Sequence, residues 1–244
     1  MYREIKKKKL ILDNRKPYTK EAERYLAELD EIDLAYTSMR LSGSALTRAE
    51  IARIHNGEII VSVGLDAHAR VAAYRDVLAE MDALVKRRRK ISEEVIFTLY
   101  QTLTGRNPLP RENNPVIYEW SYNPPYPSEI GKLMDIFAER ANIERPDMTN
   151  YVLRATEIHH TFLAIYPLAE ANEEMARLLF YYYLMTKGYC VFALDYSDRE
   201  YNAAIAEYMK DGDLSPFAAM AEHALYNKLE MMMQVTARNQ TEVN

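Results

Sequence analysis

An all-α fold is the expectation for this chain, and three observations carry it. Only seven of the 244 residues are glycine, too few for a fold rich in tight turns. Hydroxyl residues placed just ahead of acids, the mark of a capped helix start, recur along the sequence. Six of the ten prolines fall between Pro108 and Pro127, which leaves the rest of the chain open to uninterrupted helix.

The elements follow in order. Thr19 precedes Glu21 and Glu23, and Thr47 stands three residues before Glu50, whose carboxylate can reach back to the cap's backbone N–H. Ser92-Glu93-Glu94 opens a helix that Gly105 can close, Ser128 opens one ending near Ala141, and Ser197 forms a further capping box with Glu200. Between Gly105 and Ser128 the prolines impose an extended excursion, and the β-prone piece Val116, Ile117, Tyr118, Glu119 and Trp120 predicts one small β-hairpin there. The basic run before Ser92 marks a soft boundary, so residues 1–90 read as a helical N-terminal extension and 91–244 as the main domain.

A content of 48% hydrophobic and 27% charged residues is that of a soluble globular protein. The net charge of −5 and pI near 5.7 argue against a nucleic-acid partner. Lys6 to Lys9 and the run from Lys86 to Lys90 read as solvated ends without a role. The one cysteine, Cys190, excludes an intramolecular disulfide and fits a reducing compartment. The apolar run near the N-terminus is too short for a signal peptide, and no stretch approaches the ~20 apolar residues of a membrane span. The expected setting is cytoplasmic, with no membrane partner.

The segment from Ile158 to Tyr189, IHHTFLAIYPLAEANEEMARLLFYYYLMTKGY, carries the chemistry. His159, Phe162, Ile165, Pro167, Glu170, Asn172 and Arg177 fall in register with the pattern H-x-x-F-x-x-I-H-P-F-x-[D/E]-G-N-G-R-x-x-R, and Leu178, Leu179, Leu184, Gly188 and Tyr189 continue it. The chain thus resembles the Fic family, most of whose members move AMP from ATP to a hydroxyl of a target protein. The resemblance covers about the last 150 residues, including Tyr122-Asn123-Pro124-Pro125 and the ending Gly212 to Phe217. It implies a Fic-like helical bundle, a loop and helix N-terminus that cradle phosphates, an acid that holds Mg²⁺, arginines that clamp the triphosphate, and a histidine base. It also implies a flap, Val116 to Trp120, that aligns a target segment as an added strand. No winged-helix DNA-binding tail is expected after the core.

On this register the nucleotide loop is Glu170, Ala171, Asn172, Glu173, Glu174 and Arg177, with Glu170 at the metal position. The catalytic histidine position holds Tyr166. A tyrosine of ordinary pKa near 10 is ionised to roughly one part in a thousand at neutral pH, and general-base catalysis is typically worth about 10² to 10⁴ in rate. The closing Gly-Arg of the loop is Glu173-Glu174. Exchanging an attraction for a repulsion at about 4 Å and an effective dielectric near 20 changes each contact by on the order of 4 kcal/mol before solvation. Those two acids also suit a plain helix start, where the dipole favours them; the sharper reading is a cationic or amine ligand. His159 and His160 are neighbours on a helix, about 100° apart, and cannot share a tetrahedral metal site by themselves.

Ser38-Met39-Arg40-Leu41-Ser42-Gly43 resembles the family's inhibitory pattern [S/T]-x-x-x-E-[G/N] with serine at the glutamate position. Ser42 cannot make the bidentate charged pair that a carboxylate makes with arginine, so at most one neutral bond to Arg177 is expected. Together these readings predict a Fic-like protein deficient in AMP transfer that works as a signalling or interaction protein on an unknown target and forms a homodimer. No cofactor is expected, and Mg²⁺ with ATP only if a residual or altered nucleotidyl or phosphoryl transfer persists. The 19 tyrosines suit an adhesive surface, with Tyr181, Tyr182 and Tyr183 mixing core and dimer contacts along one helix.

Overall fold

The computed structural model describes residues 1–145 and 149–237. Ten α-helices make up the described chain: α1 (Tyr2–Asn14), α2 (Lys20–Leu41), α3 (Arg48–His55), α4 (Leu65–Lys86), α5 (Glu93–Thr104), α6 (Ile130–Asn142), α7 (Tyr151–Ile165), α8 (Asn172–Thr186), α9 (Asp198–Asp211) and α10 (Ser215–Ala237). The all-α expectation holds, with no sheet among the described residues.

Local chemistry sets most of the boundaries. Thr19 and Ser92 accept from the backbone N–H groups of Ala22 and Val95, while Thr47 with Glu50 and Ser197 with Glu200 form complete capping boxes. Gly105 closes α5 in the left-handed region, at φ +69°. Ser128 is the exception, because it lies inside a 3₁₀ turn, Pro127–Glu129, and α6 begins at Ile130. The proline at the first position of that turn fits its geometry, and Glu129 reaches back to the N–H of Tyr126 at 3.0 Å.

Helix α8 is the centre of the molecule. Met175, Ala176, Leu178, Leu179, Phe180, Tyr181, Tyr182 and Leu184 are all buried, so the helix is apolar on every side and needs neighbours all round it. α7 lies against it most extensively, with α4 and α5 also in contact. Tyr181 and Tyr182 belong to this core, and their hydroxyls donate to the carbonyls of Phe192 (2.6 Å) and Arg89 (2.5 Å). Tyr183 is half-buried and faces Lys187.

One apolar core runs from Ile5 to Leu229, so the first 90 residues pack into the same interior as the rest. α1 lies on α10, and α2 touches α4, α9 and α10. A buried ionic cluster ties α2, α3 and α10 together. Lys228 Nζ stands 2.6 Å from Asp30 and 2.8 Å from Asp33, and Arg48 adds a bond of 2.6 Å to Asp33. No helix of the described residues is long and apolar enough to cross a membrane.

Candidate functional site

The motif occupies the turn between α7 and α8, and the proline-rich excursion holds that turn in place. Ala169 N–H donates to Leu109 O (2.9 Å) and Arg111 N–H to Pro167 O (3.1 Å). The Arg111 side chain, almost wholly buried, donates to Tyr166 O at 2.7 Å, to Asn113 O at 2.8 Å, to Asn114 Oδ1 at 3.0 Å and to Pro125 O. Arg111 therefore satisfies orphan carbonyls at the α7 C-terminus and fixes the excursion with one guanidinium. Sequence reasoning passed it over: an arginine next to Pro110 carries no periodic or spacing signal.

The flap differs from the expected strand. Ile117 and Tyr122 exchange both backbone hydrogen bonds, at 2.9 and 3.1 Å, and this single pair is the whole hairpin. Tyr118–Trp120 turn in a 3₁₀ helix instead of extending. The reason is Trp120, which buries its ring against α9 and donates from Nε1 to Asn202 Oδ1 at 2.7 Å. A two-stranded ribbon alone is marginal, and this anchor outweighs the β preference of the segment. Val116 and Tyr118 stay exposed, at 52% and 82%.

Tyr166 ends α7 in the left-handed conformation, φ +49°, with its ring edge-on to Trp120. Burial raises its pKa, and Glu173, Glu174 and Glu119 raise it further against the lowering effect of Arg111. A neutral phenol is therefore favoured, the opposite of what a base requires. Asn172 locks the loop, accepting from Leu168 N–H at 2.9 Å and donating to Leu168 O at 2.8 Å.

Ala171 sits at φ +61° where the resemblance places glycine. A Cβ there costs roughly 1–2 kcal/mol, part of which returns as lower unfolded-state entropy. Ala171→Gly is expected to raise stability by up to about 1 kcal/mol, or about 2–4 °C in melting temperature; a fall on thermal melting would contradict the left-handed placement.

That turn also separates the two acids that flank it. Glu170 faces outward and accepts from Tyr100 OH and Arg106 Nη1, both at 3.1 Å, in a cavity of about 600 Å³ that also includes Asp66, Arg70 and Glu174. Tyr166, Ala171, Asn172, Glu173 and Glu174 instead line a second cavity of about 420 Å³ with Ser42, Gly43, Glu119 and Asp198. Among the described residues its lining holds four carboxylates and no cationic side chain. Among the described residues no group of three or more His, Cys, Asp or Glu is placed to hold a metal ion.

Arg177 lines neither cavity. It is fully buried, donating from Nη2 to Ser42 Oγ at 2.5 Å and Ser38 O at 3.2 Å, and from Nη1 to Tyr201 OH at 3.3 Å; Glu173 Oε2 stands 3.7 Å from Nη1. Burial works against the charge, yet Tyr201, Glu174, Tyr74 and Glu173 together outweigh it and hold the guanidinium above its ordinary pKa. Burial raises the Glu173 carboxyl, and Arg177 offsets only part of that. Ser42 is in position because Gly43, at φ +84°, ends α2 with bonds from Gly43 N to Arg40 O and Ser44 N to Met39 O.

Tyr201, unremarked in the sequence, joins this group to the histidines. Its hydroxyl is 2.9 Å from His159 Nε2, and His159 Nδ1 is 2.7 Å from His160 Nδ1. One directional chain satisfies all three contacts: Arg177 donates to Tyr201, Tyr201 to His159, and His159 to His160.

The Fic/DOC family model matches residues 90–184, from just ahead of α5 to the last turn of α8. These residues form a Fic domain of the Fic/DOC family. The chain is 22% identical over 187 residues to a protein adenylyltransferase Fic of Nematostella vectensis, covering 75% of this chain and 44% of that one. Less than half of that relative's length is thus represented. A Fic domain-containing signaling protein of Bacteroides thetaiotaomicron shares the fold with TM-score 0.80 at 17% identity, over 97% of this chain and 96% of the other. Residues 134–508 of Fic-1 from C. elegans superpose with TM-score 0.79 at 20% identity, over 98% of this chain and 72% of the other. The similarity to the C. elegans and Bacteroides proteins extends over α1–α4 as well as the Fic domain.

Proposed function

We propose that this Fic-domain protein, related to protein adenylyltransferases, does not transfer AMP and acts as an interaction or signalling scaffold. The observation that carries the reading is the commitment of Arg177: the one motif arginine that remains is fully buried and bonded to Ser42, Ser38 and Tyr201. An arginine already satisfied inside the protein gains little from a phosphate and would have to abandon those partners to reach it.

The other parts agree. The cavity beside Tyr166 is lined with Glu119, Glu173, Glu174 and Asp198, which does not fit a magnesium-bound triphosphate. Glu170, at the metal position, is engaged by Arg106 and Tyr100. Tyr166 has the wrong protonation tendency for a base. What persists is the framework, with the flap presenting Val116 and Tyr118 to solvent for a protein target. Self-association as a homodimer and a cytoplasmic setting belong to the same reading.

The test is adenylate transfer. Incubated with ATP radiolabelled at the α-phosphate and Mg²⁺, the purified protein is expected to label neither itself nor proteins of a cell extract above a heat-denatured control. Labelling that disappears in Glu170→Ala would restore the transferase reading, with Mg²⁺ and ATP as its requirements.

A further inference from the structure

A cavity of about 690 Å³ opens at the far end of α8, about 20 Å along the helix axis from Glu173. Lys6 reaches it from α1, Arg88, Arg89 and Lys90 from the α4–α5 connection, and Lys187 from just beyond α8; among the described residues Glu144 is the carboxylate in the lining. The whole chain carries −5, so this local excess runs against the global sign.

The basic connection is built to hold its shape. Asn142 accepts from Ile91 N–H (3.1 Å) and donates to Ile91 O (2.7 Å), and Tyr182 donates to Arg89 O at 2.5 Å. Lys187 lies 5.5 Å from the ring centres of both Tyr151 and Tyr183, which fixes its ammonium at the wall. Helix α4 ends in a Schellman turn, with Arg88 N bonded to Val85 O at 2.9 Å and Arg89 N to Leu84 O at 3.0 Å. Arg88 takes the left-handed position of that turn, φ +55°, where glycine is usual and an arginine is strained.

The carbonyl end of α4 accounts for nearby cations in part. It accounts neither for Lys6, which comes from a different helix, nor for a strained arginine where glycine closes the turn more easily. We propose that this cavity binds a small, multiply phosphorylated anion. The volume is that of a small-molecule site. The Arg88 guanidinium fork matches phosphate oxygens in pairs, and Lys6, Lys90 and Lys187 add point charges around a compact polyanion, while Arg89 is ion-paired with Glu94 and contributes its charge at the rim. Binding here needs neither the Fic motif nor AMP transfer.

Calorimetry on the full chain with inorganic tripolyphosphate tests this. At low salt, saturable one-to-one binding is expected, weakening at least about tenfold at 0.5 M salt as screening shortens the reach of each charge. Arg88→Gly and Lys90→Ser should each weaken it by about tenfold. Arg88→Gly should also melt about 2 °C higher, because glycine relieves the turn, so the loss of binding cannot be a loss of folding. No saturable binding at low salt overturns the proposal, as does unchanged affinity in both variants. Poly-glutamate binding as tightly as tripolyphosphate would assign the face to an acidic polypeptide instead.

Discussion

Replacing Arg177 with alanine is expected to destabilise the protein by about 3–5 kcal/mol, a fall of roughly 6–20 °C in melting temperature. The side chain is fully buried and joins three helices, through Ser38 and the cap residue Ser42 of α2, Glu173 on its own helix, and Tyr201 on α9. Truncation leaves Ser38 O and the Tyr201 hydroxyl each with one partner fewer in the interior, opens a cavity, and removes the guanidinium beside Glu173. Arg177→Met keeps the volume and should recover part of the loss. The comparison separates structure from ligand chemistry. An arginine held in reserve for a phosphate is dispensable for stability, so an alanine variant melting within about 2 °C of the parent would mean that Arg177 is not part of the core. The proposed loss of function would then lose its main support.

What the sequence made legible, and what it hid, follows from how far apart the interacting groups lie. Helix starts at Thr19, Thr47, Ser92 and Ser197 are written in four or five adjacent residues, and all four cap as read. Ser128 looked the same but precedes no free helix start, because Pro127 and Glu129 tighten that stretch into a 3₁₀ turn first. The segment Val116 to Trp120 has strand-forming side chains, yet its conformation is decided by Asn202, more than eighty positions away. The bond between Ser42 and Arg177 was open to a pattern reading, since both ends sit in recognisable motifs. Tyr201 and Arg111 sit in none, and their roles appear only when the chain is folded. Separation of Glu170 from Glu173 into different cavities depends on one backbone angle at Ala171, which spacing alone does not encode.

Acidification from pH 7 to pH 5 is expected to lower stability, by at most about 3 kcal/mol, well before ordinary carboxylates titrate. His159 and His160 are both fully enclosed. Burial, with His160 and Arg177 adding to it, holds the His159 pKa well below its usual value, and burial brings His160 down to about 3. Phe217 stacks on His159, Tyr208 meets the ring of His160, and among the described residues His160 Nε2 has no hydrogen-bond partner and no carboxylate is paired with either imidazole. A depressed folded pKa means that the unfolded chain binds more protons between pH 6.5 and about 3. Stability is therefore fully present above pH 6.5 and declines below it by about 1.4 kcal/mol per pH unit for each imidazole. Carboxylates raised by burial oppose this over part of the range: Asp30 is pushed up to about 6, so its protonation in the folded state returns about 1 kcal/mol by pH 5, and Glu31, Asp82 and Glu173, also raised, act in the same direction. Two histidines lose roughly 2 kcal/mol each over the same interval, more than Asp30 returns. Urea titrations at pH 7, 6 and 5 on the parent and on His160→Phe measure the effect. The variant should show about half the parent's imidazole-driven slope, and a parent whose stability is level or rising toward pH 5 would show that the histidine pair takes up protons freely in the native state.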